Sequence, residues 1–108
     1  MSYTLAAETP DVETYLTLRR VAGLSPFSEN AARRGLPGSW HAVLLRHEGA
    51  PVGMGRIIGD GGCFFQVTDI AVHPDHRGKG LGKRIMAALM DHSRAPAPPS
   101  ATITLMPD

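Results

Sequence analysis

Cysteine is almost absent from this chain of 108 residues, which contains only Cys63. A single cysteine cannot close an intramolecular disulfide, and it offers neither a pair of zinc ligands nor a redox motif. We therefore expect a reducing, cytoplasmic setting. An excess of charge of one sign is absent as well, because eleven Lys and Arg stand against ten Asp and Glu, for a net charge of +1. This balance argues against a polybasic arm for nucleic acid or for a membrane surface.

Long apolar runs are also missing. The longest uncharged stretch, 95–107, is interrupted by prolines and is shorter than the roughly 20 apolar residues of a membrane helix. The N-terminus lacks a basic segment followed by an apolar run, so no signal peptide is predicted. The length suits one domain over residues 1–108. We expect no binding to nucleic acid or membrane.

Glycine and proline, in contrast, are abundant. Twelve glycines and nine prolines make up about a fifth of the chain, against roughly 12% in an average protein. Such a composition favours short elements joined by tight turns over a helical bundle. Apolar periodicity and turn signals predict an α/β protein with the element order β-α-α-β-β-β-α-β.

The turn signals separate segments of regular apolar spacing. Helices are predicted over 10–22 with Thr9 as N-cap, from 28 to 35, and from 81 to 92–94. Strands are predicted over 3–5, 40–46, 52–58, 63–72 and 101–106. The prolines of 95–100 exclude a helix there, so this segment is predicted to be a stiff connector.

The segment between the strand 63–72 and the following helix combines three glycines with four cations. Gly78, Gly80 and Gly82 leave backbone N–H groups unshielded, next to the free amides of a helix N-terminus. The cations lie within eight residues and include both lysines of the chain: Arg77, Lys79, Lys83 and Arg84. Backbone amides surrounded by positive charge suit a diphosphate.

Two common phosphate-binding motifs do not fit this segment. A P-loop requires G-x-x-x-x-G-K-[ST], but Arg77 and Arg84 occupy its first glycine and its hydroxyl position. A dinucleotide fingerprint requires G-x-G-x-x-G, and Lys83 stands at its third glycine. The pattern that remains is R-x-x-G-x-G over 77–82, directly after a strand.

The stretch 69–82 resembles the acetyl-CoA signature of the GNAT superfamily of N-acetyltransferases, and the layout before it is also similar to that family. The resemblance implies a mixed, mostly antiparallel sheet flanked by helices. It implies acetyl-CoA as cosubstrate and an amine of a small molecule or peptide as acceptor. No metal is expected, because His41, His47 and His92 lack metal-ligand spacing. The pyrophosphate would bind the loop and the pantetheine would pair with the exposed strand backbone. The implied cofactor-binding residues are Ile70, Ala71, Val72, Arg77, Gly78, Lys79, Gly80, Leu81, Gly82 and Lys83.

Catalysis of amine acetylation requires removal of a proton, because an amine of pKa about 10 is protonated at neutral pH. The family often places a carboxylate on the signature strand, so Asp69 is the first candidate base, with a satisfied structural carboxylate as the alternative. His73 is the second candidate, and its alternative role is to cap the turn. The amide of Ile70 or Val72 would polarise the thioester carbonyl.

The resemblance stops short at the C-terminus. Family members continue with a further helix and strands, and that helix commonly supplies a tyrosine for the leaving thiolate. The tyrosines here are Tyr3 and Tyr15, so no general acid is assigned. We expect the domain to be incomplete, with a longer reading frame or a partner subunit completing the sheet, and a homodimer because an unpaired edge strand favours association.

Three functions are therefore considered. The preferred one is an acetyl-CoA-dependent N-acetyltransferase. The second is an acyl-CoA-binding or regulatory module without catalytic activity, motivated by the missing tyrosine and final elements. The third is a phosphate-anion binder unrelated to coenzyme A, since the same loop chemistry serves any phosphate. The sequence leaves the identity of the acceptor open.

Overall fold

One mixed sheet with helices on both faces forms the fold, in a computed structural model that describes residues 2–94 and 101–105. Its strands lie in the order β1-β2-β3-β4-β5, with bounds Tyr3–Ala6, Ser39–His47, Ala50–Gly59, Phe64–Val72 and Thr102–Leu105. The helices are α1, α2 and α3, with bounds Val12–Ala22, Glu29–Gly35 and Leu81–Arg94. Neighbouring strands are antiparallel except β4 and β5, which are parallel.

This architecture confirms the predicted α/β class, the element order and the mostly antiparallel sheet. Two short 3₁₀ turns, Leu36–Gly38 and Pro74–His76, add to the predicted elements. The predicted connector 95–100 lies outside the described residues, as does the last residue of the predicted strand 101–106.

The start of α1 corrects one prediction. The helix begins at Val12 rather than at Pro10, and its N-cap is Asp11 instead of Thr9. The Asp11 carboxylate accepts a hydrogen bond from Thr14 N at 2.8 Å, and this bond lowers the pKa of Asp11. The backbone of Asp11 is extended, so Pro10 lies before the helix and cannot occupy its first turn. A carboxylate near the positive helix end is the stronger cap of the two candidates.

The sheet buries an apolar cluster on each face. The face under α3 holds the first cluster: Val43, Leu45, Val52, Ile57, Phe65, Val67, Leu81, Ile85 and Leu89. The face under α1 and α2 holds the second: Tyr15, Leu18, Ala32, Leu36, Leu44, Met54 and Ala71. Helix α3 and helices α1 and α2 therefore lie on opposite sides of the same strands.

A β-bulge in β4 changes which face its side chains occupy. Ile57 pairs with Val67, but Met54 pairs with Ala71, so β4 has one residue more than β3 between these pairs. The extra residue falls at Asp69, which has a positive φ of 60°. Phe65 and Val67 face α3, whereas Ala71 packs against α1. The bulge thus turns Asp69 away from the apolar cluster under α3.

Candidate active site

The glycine loop, residues 73–80, connects β4 to α3 and exposes backbone. Gly78 and Gly80 adopt positive φ angles of 80° and 73°, which glycine accepts with little cost. A β-carbon placed on Gly78, Gly80 or Gly82 would meet no atom within 4 Å. The space above these residues is open, so a ligand can approach their amides closely.

The N-terminus of α3 follows the glycine loop directly. The hydrogen bond from Arg84 N to Gly80 O, at 3.2 Å, is the first of the helix, so the preceding amides of 81–83 have no helical acceptor. The first turn contains no acidic residue, and Lys79 and Lys83 are exposed beside it. Such a positively charged, backbone-lined surface is chemically suited to a phosphate or diphosphate group.

Two side-chain hydrogen bonds attach the glycine loop to the rest of the fold. Arg77 Nη2 donates to Ala22 O, at the end of α1, over 2.9 Å. The Tyr3 hydroxyl on β1 lies 2.7 Å from Nδ1 of His76. The Arg77 guanidinium, predicted to help hold the pyrophosphate, thus interacts with the negative end of the α1 dipole. In this structure its side chain positions the loop relative to α1.

The second half of β4 presents an open edge in the part of the chain that the structure describes. β5 pairs with 64–67 of β4, and no described strand occupies that side of 68–72. Ala71 is buried while Ile70 and Val72 are half-buried, so their side chains are packed although the edge of their backbone is open. An extended ligand can pair with such an edge as an added strand.

Asp69 is the centre of a buried ionic network under α1. Its side chain is 3% exposed. Oδ1 accepts a hydrogen bond from Arg19, and Oδ2 accepts one from Arg56 Nε at 2.6 Å and one from the Tyr15 hydroxyl at 2.9 Å. Burial, followed by the nearby Asp69 charge, raises the pKa of Tyr15, which keeps this hydroxyl a donor. These contacts favour the structural alternative for Asp69 over the role of a base.

His73 caps the turn that opens the glycine loop. Its Nδ1 accepts a hydrogen bond from Asp75 N at 3.1 Å, and the backbone N–H of His73 donates to Val52 O at 2.7 Å. A neutral imidazole that accepts through Nδ1 carries its proton on Nε2. The nitrogen that would take a proton from an amine is therefore engaged, and the role of His73 as base stays a prediction.

Arg19 and Arg56 are the site residues that sequence reasoning missed. Arg19 stands four residues after Tyr15 and is only 3% exposed, so it lies on the buried stripe of α1. Arg56 interrupts an otherwise apolar strand. A charged residue within an apolar pattern indicates a buried partner, and Asp69 in β4 is the partner of both.

Comparison with known proteins assigns this geometry to a family. The model of the Acetyltransferase (GNAT) family matches residues 8–100. The chain belongs to the GNAT family of acetyltransferases. The family that the signature resembled is thereby confirmed, and acetyl transfer is the general activity of this family. A comparison with curated proteins finds no match.

Solved structures of other acetyltransferases share the GNAT fold of this chain. Protein SA2161 of meticillin-resistant Staphylococcus aureus, described as a probable acetyltransferase, superimposes with a TM-score of 0.92 at 36% identity, covering 99% of this chain and 80% of that one. The ribosomal-protein-S18-alanine N-acetyltransferase of Escherichia coli gives 0.73 at 22% identity, covering 84% and 59%. The N-acetylglutamate synthase of Neisseria gonorrhoeae, solved with coenzyme A and N-acetyl-glutamate, gives 0.69 at 19%, covering 87% and 23%.

The remaining predictions about this GNAT protein concern membranes, metals, assembly and location. None of the helices within the described ranges is long and apolar enough to cross a membrane. Within the same ranges, His, Cys, Asp and Glu side chains form no group of three or more that could hold a metal ion. The homodimer stays a prediction, because the structure contains one chain. The cytoplasmic location also stays a prediction.

Proposed function

We propose that this GNAT protein is an acetyl-CoA-dependent N-acetyltransferase that acts on an amine. The observation that carries the proposal is the glycine loop, where the open backbone of Gly78 and Gly80 meets the free N-terminus of α3. Acetyl-CoA supplies the activated acetyl group. The amides of 78–83 would hold its pyrophosphate, with Lys79 and Lys83 offsetting the charge.

The open edge of β4 supports the placement of the acyl arm. The backbone of Ile70, Ala71 and Val72 would pair with the pantetheine amides and bring the thioester to the bulge. There the N–H of Ile70 or Val72 would donate to the thioester carbonyl and to its developing oxyanion. The bulge contributes by breaking the regular β3–β4 register at Asp69, because a residue outside a regular ladder can direct its backbone groups elsewhere.

Proton removal must precede attack by the amine nitrogen. Asp69 has both carboxylate oxygens engaged, and His73 accepts a backbone N–H through Nδ1. We therefore propose that water accepts the proton from the amine. His73, which begins the glycine loop, stays the alternative base. The C–N bond then forms as the C–S bond breaks, and the thiolate of coenzyme A leaves. Neither tyrosine serves that thiolate, since Tyr3 contacts His76 and Tyr15 contacts Asp69.

Calorimetry with coenzyme A and acetyl-CoA tests the proposal. Gly80→Glu places a β-carbon at positive φ and a carboxylate where the pyrophosphate would lie, so we expect a loss of affinity of at least about 100-fold. Gly61→Glu is the matched control, because Gly61 also has a positive φ, 83°, with open space around it, but lies in the β3–β4 turn. Absence of binding by the unsubstituted protein would contradict the proposal.

The side chains of Asp69, Tyr3 and Tyr15 all form hydrogen bonds within the fold. Because none of them is free to act as an acid or base, this also supports a second candidate, an acyl-CoA-binding module without catalysis. Thiol release, measured with acetyl-CoA and a panel of amines, separates the two candidates. Turnover that depends on the amine supports the transferase. Tight acetyl-CoA binding without turnover of any amine supports the module. Equal competition by ATP or inorganic phosphate would instead support a general phosphate binder.

A further inference from the structure

Arg56 offers one edge of its guanidinium to solvent. Nε is bound to Asp69 at 2.6 Å, and Nη1 donates to Ser39 Oγ at 3.1 Å and to Gly35 O at 3.4 Å. Nη2 donates a hydrogen bond to none of the described residues. Arg56 has no fully buried side-chain nitrogen that lacks a partner, so Nη2 is accessible to solvent. Since the side chain is 13% exposed, the Nη2 group can receive a ligand from outside.

A small cavity lies against this guanidinium, between α1, α2 and β3. Its volume is about 120 Å³, and its walls include Tyr15, Phe27, Ala31 and Leu36 as well as Arg56. No acidic side chain lines it. The cavity is therefore an apolar pocket with a cation on its wall, a combination that suits a small organic molecule with an anionic end.

The charge of Arg56 is only partly compensated by its neighbours. Its carboxylate partner, Asp69, is shared with Arg19, and the oxygen that binds Arg56 also accepts the Tyr15 hydroxyl. Its other acceptors, Gly35 O and Ser39 Oγ, are neutral. Glu29 on α2 binds Arg33 instead. A second carboxylate in the cavity would therefore meet an attractive field.

We propose that this cavity binds a carboxylate of the acceptor, so that the substrate is a small amine carrying a carboxylate, as an amino acid does. The proposal rests on the proposed transferase function and names its substrate class. Nε and Nη1 already donate to Asp69, Ser39 and Gly35, so the two N–H groups of Nη2 are the donors that remain for a carboxylate oxygen. A phosphate dianion would require more donors than one guanidinium provides, and the other named walls are apolar.

The position of Arg56 connects the carboxylate to the chemistry. Arg56 binds Asp69 directly, and Asp69 immediately precedes Ile70 at the open edge of β4. An acceptor held by its carboxylate, and long enough to extend past Asp69, would place its amine at this edge. The amine nitrogen attacks the thioester carbon, the C–N bond forms, the C–S bond breaks, and one amine proton leaves to solvent as coenzyme A departs as the thiolate.

Propionate and propionamide, which have similar shapes but differ in charge, probe the cavity without any reaction. Titration of the full chain, followed by calorimetry and by the Nε–Hε signal of Arg56 in NMR spectra, should show propionate binding at least about tenfold tighter than the amide. In thiol-release assays, glycine, β-alanine and 4-aminobutyrate should each be compared with the corresponding carboxamide. We expect kcat/KM to favour at least one carboxylate by about tenfold or more.

Two variants locate the site. Arg56→Lys keeps a cation beside Asp69 but removes the Nη2 donors, and Ala31→Leu fills the cavity from an exposed position of α2 without touching the ionic network. Each should weaken propionate binding about tenfold or more. Arg46→Gln is the control, because it removes one positive charge from a surface pair with Glu8 and should leave propionate affinity unchanged.

The outcomes separate this inference from the proposed function. Acetyl-CoA binding without any preference for propionate over propionamide would overturn the carboxylate site and leave the transferase intact. Propionate binding that survives both Arg56→Lys and Ala31→Leu would overturn its location. Inorganic phosphate that shifts the Arg56 Nε–Hε signal at concentrations as low as propionate does, and loses this effect in Ala31→Leu, would overturn the choice of carboxylate. Failure of acetyl-CoA to bind would contradict the proposed function itself, independently of the propionate result.

Discussion

The two faces of the sheet are built from different kinds of interaction. Under α3 the contacts are apolar throughout the cluster, and Ile85 and Leu89 are fully buried against the strands. Under α1 the apolar cluster adjoins an ionic network, in which Asp69 binds Arg19 and Arg56. The apolar face sets the position of α3 and hence of the glycine loop, whereas the ionic face holds Arg56, the residue proposed to bind the acceptor.

The bulge in β4 makes this division possible. With regular alternation, Asp69 would share a face with Phe65 and Val67, inside the apolar cluster under α3. A carboxylate there would lack donors and would be strongly disfavoured. At φ of 60° the chain turns Asp69 to the other face, a conformation that aspartate tolerates better than most residues. One extra residue therefore separates an apolar face from a charged one within a single strand.

The largest effect is expected from removing the charge at the centre of the ionic face. Asp69→Asn removes the buried carboxylate that binds both Arg19 and Arg56, and breaking a buried ion pair by removing one partner costs about 3–5 kcal/mol. The free energy of unfolding, measured by urea denaturation, should fall by that amount. Asp91→Asn makes the same change at an exposed position of α3 and should have little effect. A small loss in Asp69→Asn, equal to that of the control, would show that the network contributes little.

The apolar face should respond to volume rather than to charge. A β-carbon on Gly55 would lie 2.6 Å from Ile85 Cγ2 and 3.0 Å from Leu89 Cδ1, so Gly55→Ala forces α3 away from the sheet. We expect a loss of about 1–3 kcal/mol in the free energy of unfolding. Gly38→Ala is the control, because a β-carbon there meets no atom within 4 Å. Equal stability of the two variants would show that α3 does not need this close approach.

The apolar face and the glycine loop were predictable because their signals are local. The stripe of Leu81, Ile85 and Leu89 has helical spacing, and all three side chains are buried. The loop is a continuous stretch whose glycines and cations point to phosphate without reference to the rest of the chain. The bulge also had a local signal that was missed, since the apolar alternation of Phe65 and Val67 resumes one residue out of phase at Ile70.

The ionic network was not predictable, because its partners are far apart in sequence. Arg19 and Asp69 are separated by 50 residues, and Arg56 and Asp69 by 13. No spacing rule connects a helix residue to a strand residue across the sheet. The error at the start of α1 had a different cause, since Thr9 and Asp11 are both good N-caps and only the backbone geometry decides between them.

The smallest effect is expected at the rim of the α3 face, where His41 of β2 stacks on His92 of α3 at 3.6 Å between ring centroids. Burial, and secondly the charge of His92, lowers the pKa of His41 from its usual 6.5. The pKa of His41 is about 6.5 in the unfolded chain and lower in the folded protein, so at pH values between the two the unfolded chain binds more protons. The stability that the neutral His41 contributes is therefore fully present above about pH 6.5 and is lost as the pH falls below it.

His41→Gln should therefore reduce the loss of stability on acidification. The free energy of unfolding, measured by urea denaturation from about pH 7.5 to about pH 5.5, should fall less steeply in the variant than in the unsubstituted protein. His92→Gln should reduce the slope less, because it removes the second cause and leaves burial in place. An unchanged slope in His41→Gln would contradict this prediction, because it would show that protonation of His41 does not contribute to the loss of stability at low pH.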